Sequence, residues 1–168
     1  MTTAIKPGLV HDGNYLVSFV DLIANIGAPT VAELTAGLEL ECQITPDGLG
    51  REASDETVDT SRLCSVFTTM KQGRTSFEVS VTLVRLDEAV VGVVDTAYAT
   101  LVKRKLGYLV VRDNLPATTP WAAGQDVEVF PVECGTRSKA NPAANEQMTF
   151  TVPMTVYADP DIASVVAA

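Results

Sequence analysis

Apolar and polar residues alternate most cleanly over residues 76–86. There Phe77, Val79, Val81 and Leu83 share one face while Glu78, Ser80 and Thr82 share the other. A period of two marks a strand with one face buried. Residues 147–157 repeat the pattern, with Met148, Phe150, Val152, Met154 and Val156 set against Gln147, Thr149, Thr151 and Thr155. Further strands are predicted over residues 14–24, 38–45, 108–112 and 127–134. The first is bracketed by the turn-formers Asp12-Gly13 and by Asn25, Gly27 and Pro29. In the second, Leu38, Leu40, Cys42 and Ile44 form the apolar face. Pro131 and Pro153 lack a backbone donor and are therefore predicted at edge or bulged positions. Trp121-Ala-Ala-Gly124 reads as a turn that buries Trp121, and residues 135–145 read as a polar turn region.

Two stretches switch to helical signals. Thr30 and Glu33 have the spacing of a capping box, and Gly37 is placed to end the helix in the left-handed region, which predicts a short helix over 31–36. Over residues 88–105, Val90, Val94, Ala97 or Tyr98, and Leu101 fall on one stripe. Asp87 and Glu88 suit the positive N-terminus of that helix, Lys103-Arg104-Lys105 suit its negative C-terminus, and Gly107 follows. Its valines oppose the assignment, because β-branched side chains lose rotamer freedom in a helix. The predicted fold is mainly β: a β-sandwich or barrel with one flanking helix over 88–105 and a short helix over 31–36. No internal repeat or linker divides the chain, so residues 1–168 are expected to form a single domain.

Residues 46–62 lack apolar periodicity and are predicted as a long loop, mobile in a free subunit and ordered against a neighbouring one. They carry Asp47, Glu52, Asp55, Glu56 and Asp59 against Arg51 and Arg62. The spacing is not that of a calcium loop. The whole chain carries a net charge of −9, with 21 acidic and 12 basic residues. That disfavours direct nucleic-acid binding, which needs a basic footprint. The widely separated cysteines Cys42, Cys64 and Cys134, with His11 as the one histidine, argue against a zinc site and suggest buried thiols. His11 beside Asp12-Gly13 reads as a solvated surface residue and not as a general base. No phosphate-binding glycine motif is present, and paired carboxylates such as Asp55-Glu56 flank turns. No catalytic, cofactor or metal residues are therefore assigned. No apolar run is long enough for a membrane span, and no secretory leader is evident at the N-terminus, which suggests assembly in a host cytoplasm.

One resemblance gives these features a context. Residues 28–49, APTVAELTAGLELECQITPDGL, followed by Ser61-Arg62-Leu63-Cys64-Ser65, resemble the N-terminal half of major tail tube proteins of long-tailed bacteriophages of actinobacteria. The resemblance continues through residues 107–112, Trp121-Ala-Ala-Gly124 and residues 153–159, while residues 67–73 depart from the family pattern. It implies a β-sandwich with a flanking helix, joined into hexameric rings whose long strands complete a common barrel. The rings stack into a tube in the virion tail. DNA passes through that tube without specific binding, and the tape-measure, tail-tip and terminator proteins are the partners. On this view residues 46–62 contribute Asp47, Arg51, Glu52, Asp55, Glu56, Asp59 and Arg62 to ring stacking. The polar faces offer Glu78, Ser80, Thr82, Thr149 and Thr151 to the lumen. Strand length agrees: residues 76–86 would extend roughly 36 Å at about 3.3 Å per residue, long for an isolated small sandwich. The alternative is a small β-sandwich virion or surface binding module, such as a tail terminator, decoration or adhesion protein. Self-assembly separates the two.

Overall fold

A computed structural model of the chain describes residues 12–168; His11 lies outside them. In chain order the elements are β1 (Leu16–Val20), α1 (Val31–Thr35), β2 (Leu38–Glu39), β3 (Ile44–Asp59), β4 (Met70–Val84), α2 (Thr96–Thr100), β5 (Leu106–Arg112), β6 (Asp126–Cys134), β7 (Ser138–Lys139), β8 (Thr149–Val156) and β9 (Asp161–Val165). Among the described residues nine strands join in one sheet of order β2-β1-β5-β6-β8-β4-β3, with β7 added to β8 and β9 to β6. Every pairing between these strands is antiparallel. The mainly-β class expected from the alternation is the class observed. No helix among the described residues is long and apolar enough to cross a membrane.

The sheet folds over its larger core. Val17 and Phe19 of β1 and Leu109 and Val111 of β5 meet Val79, Val81 and Leu83 of β4 and Phe150, Val152 and Met154 of β8. Strands far apart in the sheet order thus pack face to face, which makes the molecule a sandwich. The opposite face of β1, β5 and β6 is also covered. Leu16, Val20, Val110, Val127 and Val129 pack there with Leu34 of α1, Trp121 and Val166. This double coverage explains why β1, LVSFV, is buried at all five positions and shows no alternation. By contrast β4 and β8 have one covered face, so their alternation is legible.

The capping box at α1 forms as predicted. Thr30 Oγ1 accepts from the Glu33 N–H at 3.3 Å, and Glu33 Oε2 accepts from the Thr30 N–H at 2.8 Å. Gly37 has a different role from the one expected, since its φ is not positive. A Cβ there would lie 2.8 Å from Val20 Cγ2 and 3.2 Å from the Phe19 carbonyl, so glycine is needed for close approach to β1. The strand expected over 38–45 is interrupted: after β2 the chain turns at residues 41–43, which leaves Cys42 exposed.

The helix expected over 88–105 shortens to the five residues of α2. Its N-cap is Asp95, which accepts from the Tyr98 N–H at 3.1 Å; Asp87 and Glu88 lie upstream in turns. Gly92 at φ 88° and the run of valines break the upstream half, so Val90 and Val94 are exposed; Ala97 and Leu101 are buried in the core and Tyr98 packs partly buried against it. The basic triplet follows the helix instead of capping it, with Arg104 in a turn at φ 67° and Lys105 bound to Asp21 at 2.8 Å. Gly107 lies within β5, where a Cβ would meet Phe19 Cζ at 2.4 Å.

Pro131 and Pro153 both occupy interior strands, yet each sits where a neighbour changes. Along β6 the partner switches from β9 to β8 around Pro131. Along β8 it switches from β7 to β6 around Pro153. Their carbonyls still accept, from the Tyr157 N–H at 3.2 Å and the Gly135 N–H at 2.7 Å. Trp121 is buried beside the turn at Gly124, as expected.

Two measurements check this account. Hydrogen bonds from Thr30 and Ala24 hold the Glu33 carboxylate below its ordinary value of 4.5. A depressed acid adds stability that is present above its unfolded pKa and is lost as pH falls through the folded value. Unfolding titrations should therefore show a loss below about pH 4.5 that Glu33→Gln removes. Gly107→Ala should lower stability by about 2 kcal/mol, read from urea midpoints at unchanged m, because the ring and the Val20 carbonyl cannot both retreat.

Candidate functional site

The most prominent surface feature is an arm. The region expected to be a loop over 46–62 is mostly strand: β3 runs to Asp59 and pairs with β4 along its length, from Ile44↔Leu83 to Asp59↔Met70. Sequence periodicity missed it because every residue from 52 to 76 is exposed, so no alternation in burial writes itself into residue type. Backbone pairing alone makes the structure. A register irregularity between Asp55 and Thr57 adds local twist. At the turn, Thr60 N–H donates to the Thr69 carbonyl at 2.8 Å and Thr69 N–H to Ser61 Oγ at 3.0 Å. These bonds tie the turn to itself and leave Leu63, Val66 and Phe67 fully outward.

The arm carries two free edges. β3 is the last strand of the sheet, so its outer edge has no partner among the described residues. On the opposite side β8 pairs with β4 only from Glu78 to Val84, leaving Met70–Phe77 bare. A groove of about 660 Å³ opens where β8 parts from β4, between Thr75–Ser80 and Pro153–Pro160.

Arg51 anchors the root of the arm. Assigned by sequence to ring stacking, it is held within its own chain by Asp113 at 2.8 Å and by Glu128. Its guanidinium also lies 5.6 Å from the centre of the Tyr15 ring. The two carboxylates raise its pKa against the opposing effect of burial. Three elements on the far layer of the sandwich thereby grip one residue of β3.

The five residues expected in the lumen share one sheet face. Glu78, Ser80 and Thr82 of β4 alternate with buried Val79, Val81 and Leu83. Register places Thr82 opposite Thr151 and Val84 opposite Thr149, with the Thr82 and Thr151 hydroxyls 2.8 Å apart. Glu52, assigned by sequence to the loop, stands directly opposite Glu78 and belongs to this same polar face. Asp47 stays in the body, within the irregular stretch between Ile44 and Leu49. Asp55, Glu56 and Asp59 lie along the arm, and Arg62 lies in its turn.

Two cationic centres, one of them fully buried, were not legible in the sequence. Arg112, fully buried, donates to the Pro116, Thr119 and Pro120 carbonyls and to Gln125 Oε1, so it holds the turn region before β6. Arg85 and Arg137 stack 3.5 and 3.9 Å from the Tyr98 ring centre, while Asp95 binds Arg85 at 3.3 Å. Of the cysteines, only Cys134 is a buried thiol, pushed up to about 11 by burial; Cys42 and Cys64 are exposed. Among the described residues no group of His, Cys, Asp and Glu is arranged to hold a metal.

A sandwich with one long arm, free strand edges and an uncovered polar sheet has the form of an assembly subunit. The chain belongs to the phage tail tube protein family, whose family model, "Phage tail tube protein", matches residues 3–168. It is thus a structural component of a virion tail. Among solved structures it is similar to a chain of the "anti-feeding prophage (AFP) baseplate, 6-fold symmetrised", at 12% identity and a TM-score of 0.54, covering 96% of this chain and 98% of that one. That likeness is one of fold. No curated protein sequence matches.

Arg51→Met keeps the stem but removes the grip on Asp113 and Glu128. Global stability should fall by only about 1 kcal/mol for so partly exposed a pair. Amide exchange at residues 49–53 should accelerate while the β5–β6 amides keep their protection. Unchanged exchange at the root would show that Arg51 does not hold the arm.

Proposed function

We propose that this chain is the tube-forming subunit of a long-tailed phage. Six copies close a ring, rings stack into a hollow tube, and DNA passes through it after the tape-measure protein has set its length. Tail-tip and terminator proteins would cap the two ends. The observation that carries this reading is the arm, 25 consecutive exposed residues from 52 to 76 with a free edge on either side. A two-stranded hairpin with no core of its own is marginal in water, and free edges call for partners. Cyclic symmetry supplies them. Every β3 in a ring points the same way, so the bare edge of β4 meets a neighbour's β3 antiparallel, as it meets its own. The family membership supports a tail-tube role, and the six-fold symmetrisation of the similar baseplate structure motivates the choice of six copies.

In the ring the polar face of β3, β4 and β8 lines the channel. Ser80, Thr82, Thr149 and Thr151 offer hydroxyls, and Glu52 beside Glu78 supplies paired carboxylates. A surface of this kind repels phosphate and gives it no cationic anchor, so DNA slides. The arm, with Asp55, Glu56, Asp59 and Arg62, reaches towards the next ring.

Concentrated protein should form rings and hollow stacked tubes in negative-stain micrographs. A species that stays monomeric at high concentration, even with tail-initiator components present, would overturn the proposal and favour a monomeric binding module. Glu78→Lys should leave the fold intact and slow DNA ejection from assembled tails, because each ring then carries cations in the bore. Ejection at the normal rate would remove Glu78 from the lumen.

A further inference from the structure

The outward apolar side chains gather at two places joined by one strand. Leu63, Val66 and Phe67 crown the arm before the start of β4 at Met70. Val90, Val91 and Val94 project from the loop that follows the end of β4 at Val84, with Met148 exposed beside it. Fourteen residue steps of strand separate Met70 from Val84, on the order of 45 Å. No chain can therefore bring its own arm turn to its own loop.

The charges at the two places are opposite. The arm turn, residues 60–69, carries Arg62 as its one charged residue, while the strands below it carry Asp55, Glu56 and Asp59 beside Lys71 and Arg74. Residues 86–101 contain Asp87, Glu88 and Asp95 and no cation. Asp95 is buried against Arg85, while Asp87 and Glu88 are exposed, Glu88 lying 3.8 Å from Arg85 at the rim of the loop. Both surfaces are held in shape before any contact is made. The arm turn is bound by its own threonine and serine hydrogen bonds. The loop is braced by Val90 N–H to the Asp87 carbonyl at 3.2 Å, Val93 N–H to the Val90 carbonyl at 3.1 Å, and Asp95. Preformed surfaces lose less entropy on binding.

We infer that the loop between β4 and α2 is the socket that receives the arm turn of a second copy of this chain, Leu63, Val66 and Phe67 packing on Val90, Val91 and Val94 while Arg62 meets Asp87 and Glu88. This rests on the stacked-ring reading above and names its receiving surface. The contact is heterologous, one end of a copy against the opposite end of the next, so it propagates without closing and fixes the polarity of the tube. Ile162 and Val165, also exposed, do not compete. They lie on β9 beside the start of β6, at the end from which the arm leaves. The arm turn of a head-to-tail neighbour arrives at the opposite end and does not reach them.

Cys64, exposed in the arm turn, provides the test. In a Cys42→Ser background, Val91→Cys places a second thiol in the socket. Oxidised tubes should give a ladder of cross-linked chains longer than dimers on non-reducing gels, and Cys64→Ser or Ile162→Cys in place of Val91→Cys should abolish it. Charge reversal adds a readout that needs no new thiol. Arg62→Glu alone, or Asp87→Lys with Glu88→Lys, should raise the concentration needed for tube growth at least about tenfold while rings still form. Combining the three reversals should restore growth. Tubes with no ladder and with indifferent charge variants would overturn the socket and leave ring stacking standing. If the unaltered protein forms neither rings nor tubes, both readings fall.

Discussion

β4 is longer than the sandwich it helps to close, and the rest of the molecule follows from that mismatch. From Glu78 to Val84 the strand has β3 on one side, β8 on the other, and the core beneath Val79, Val81 and Leu83. From Met70 to Phe77 it has only β3. The same backbone is thus a core strand at one end and a free hairpin at the other. Burial stabilises the first half, and the second half is held by continuity with it, by the ladder to β3 and by the Arg51 grip at its root. An arm built this way is stiff enough to present its turn at a distance and too poorly covered to be complete alone.

Several cations in this chain serve inward. Arg51 closes the arm root, Arg85 and Arg137 stack on Tyr98, Arg112 holds the turn region before β6, and Lys105 pairs with Asp21. Several acids face outward unpaired, among them Glu52 and Glu78, side by side on the polar sheet. Like charges opposite one another cost a strand pair some stability. In the tube proposed above, that face meets phosphate and offers it no cationic hold. The net charge of −9 understates this division, because several of the balancing cations are withdrawn into structure.

The chain alone determined those elements whose physical cause is local or whose burial is one-sided. Period-two alternation in β4 and β8 reflects one covered face, and the Thr30–Glu33 box depends on residues three apart. The resemblance carried by residues 28–49 and 61–65 pointed to the family that the whole-chain match establishes. What only the tertiary structure decided has non-local causes. β3 exists because β4 pairs with it, not because its residues alternate. α2 is short because Gly92 and the valines leave the upstream stripe nothing to pack on. Arg51 found Asp113 and Glu128, more than sixty positions away, because the sheet folds back on itself. Glu52 joined the polar face through register with Glu78, a relation no periodicity records. Pairing and closure act between segments that the linear order keeps apart, so they leave no mark on the pattern of either segment alone.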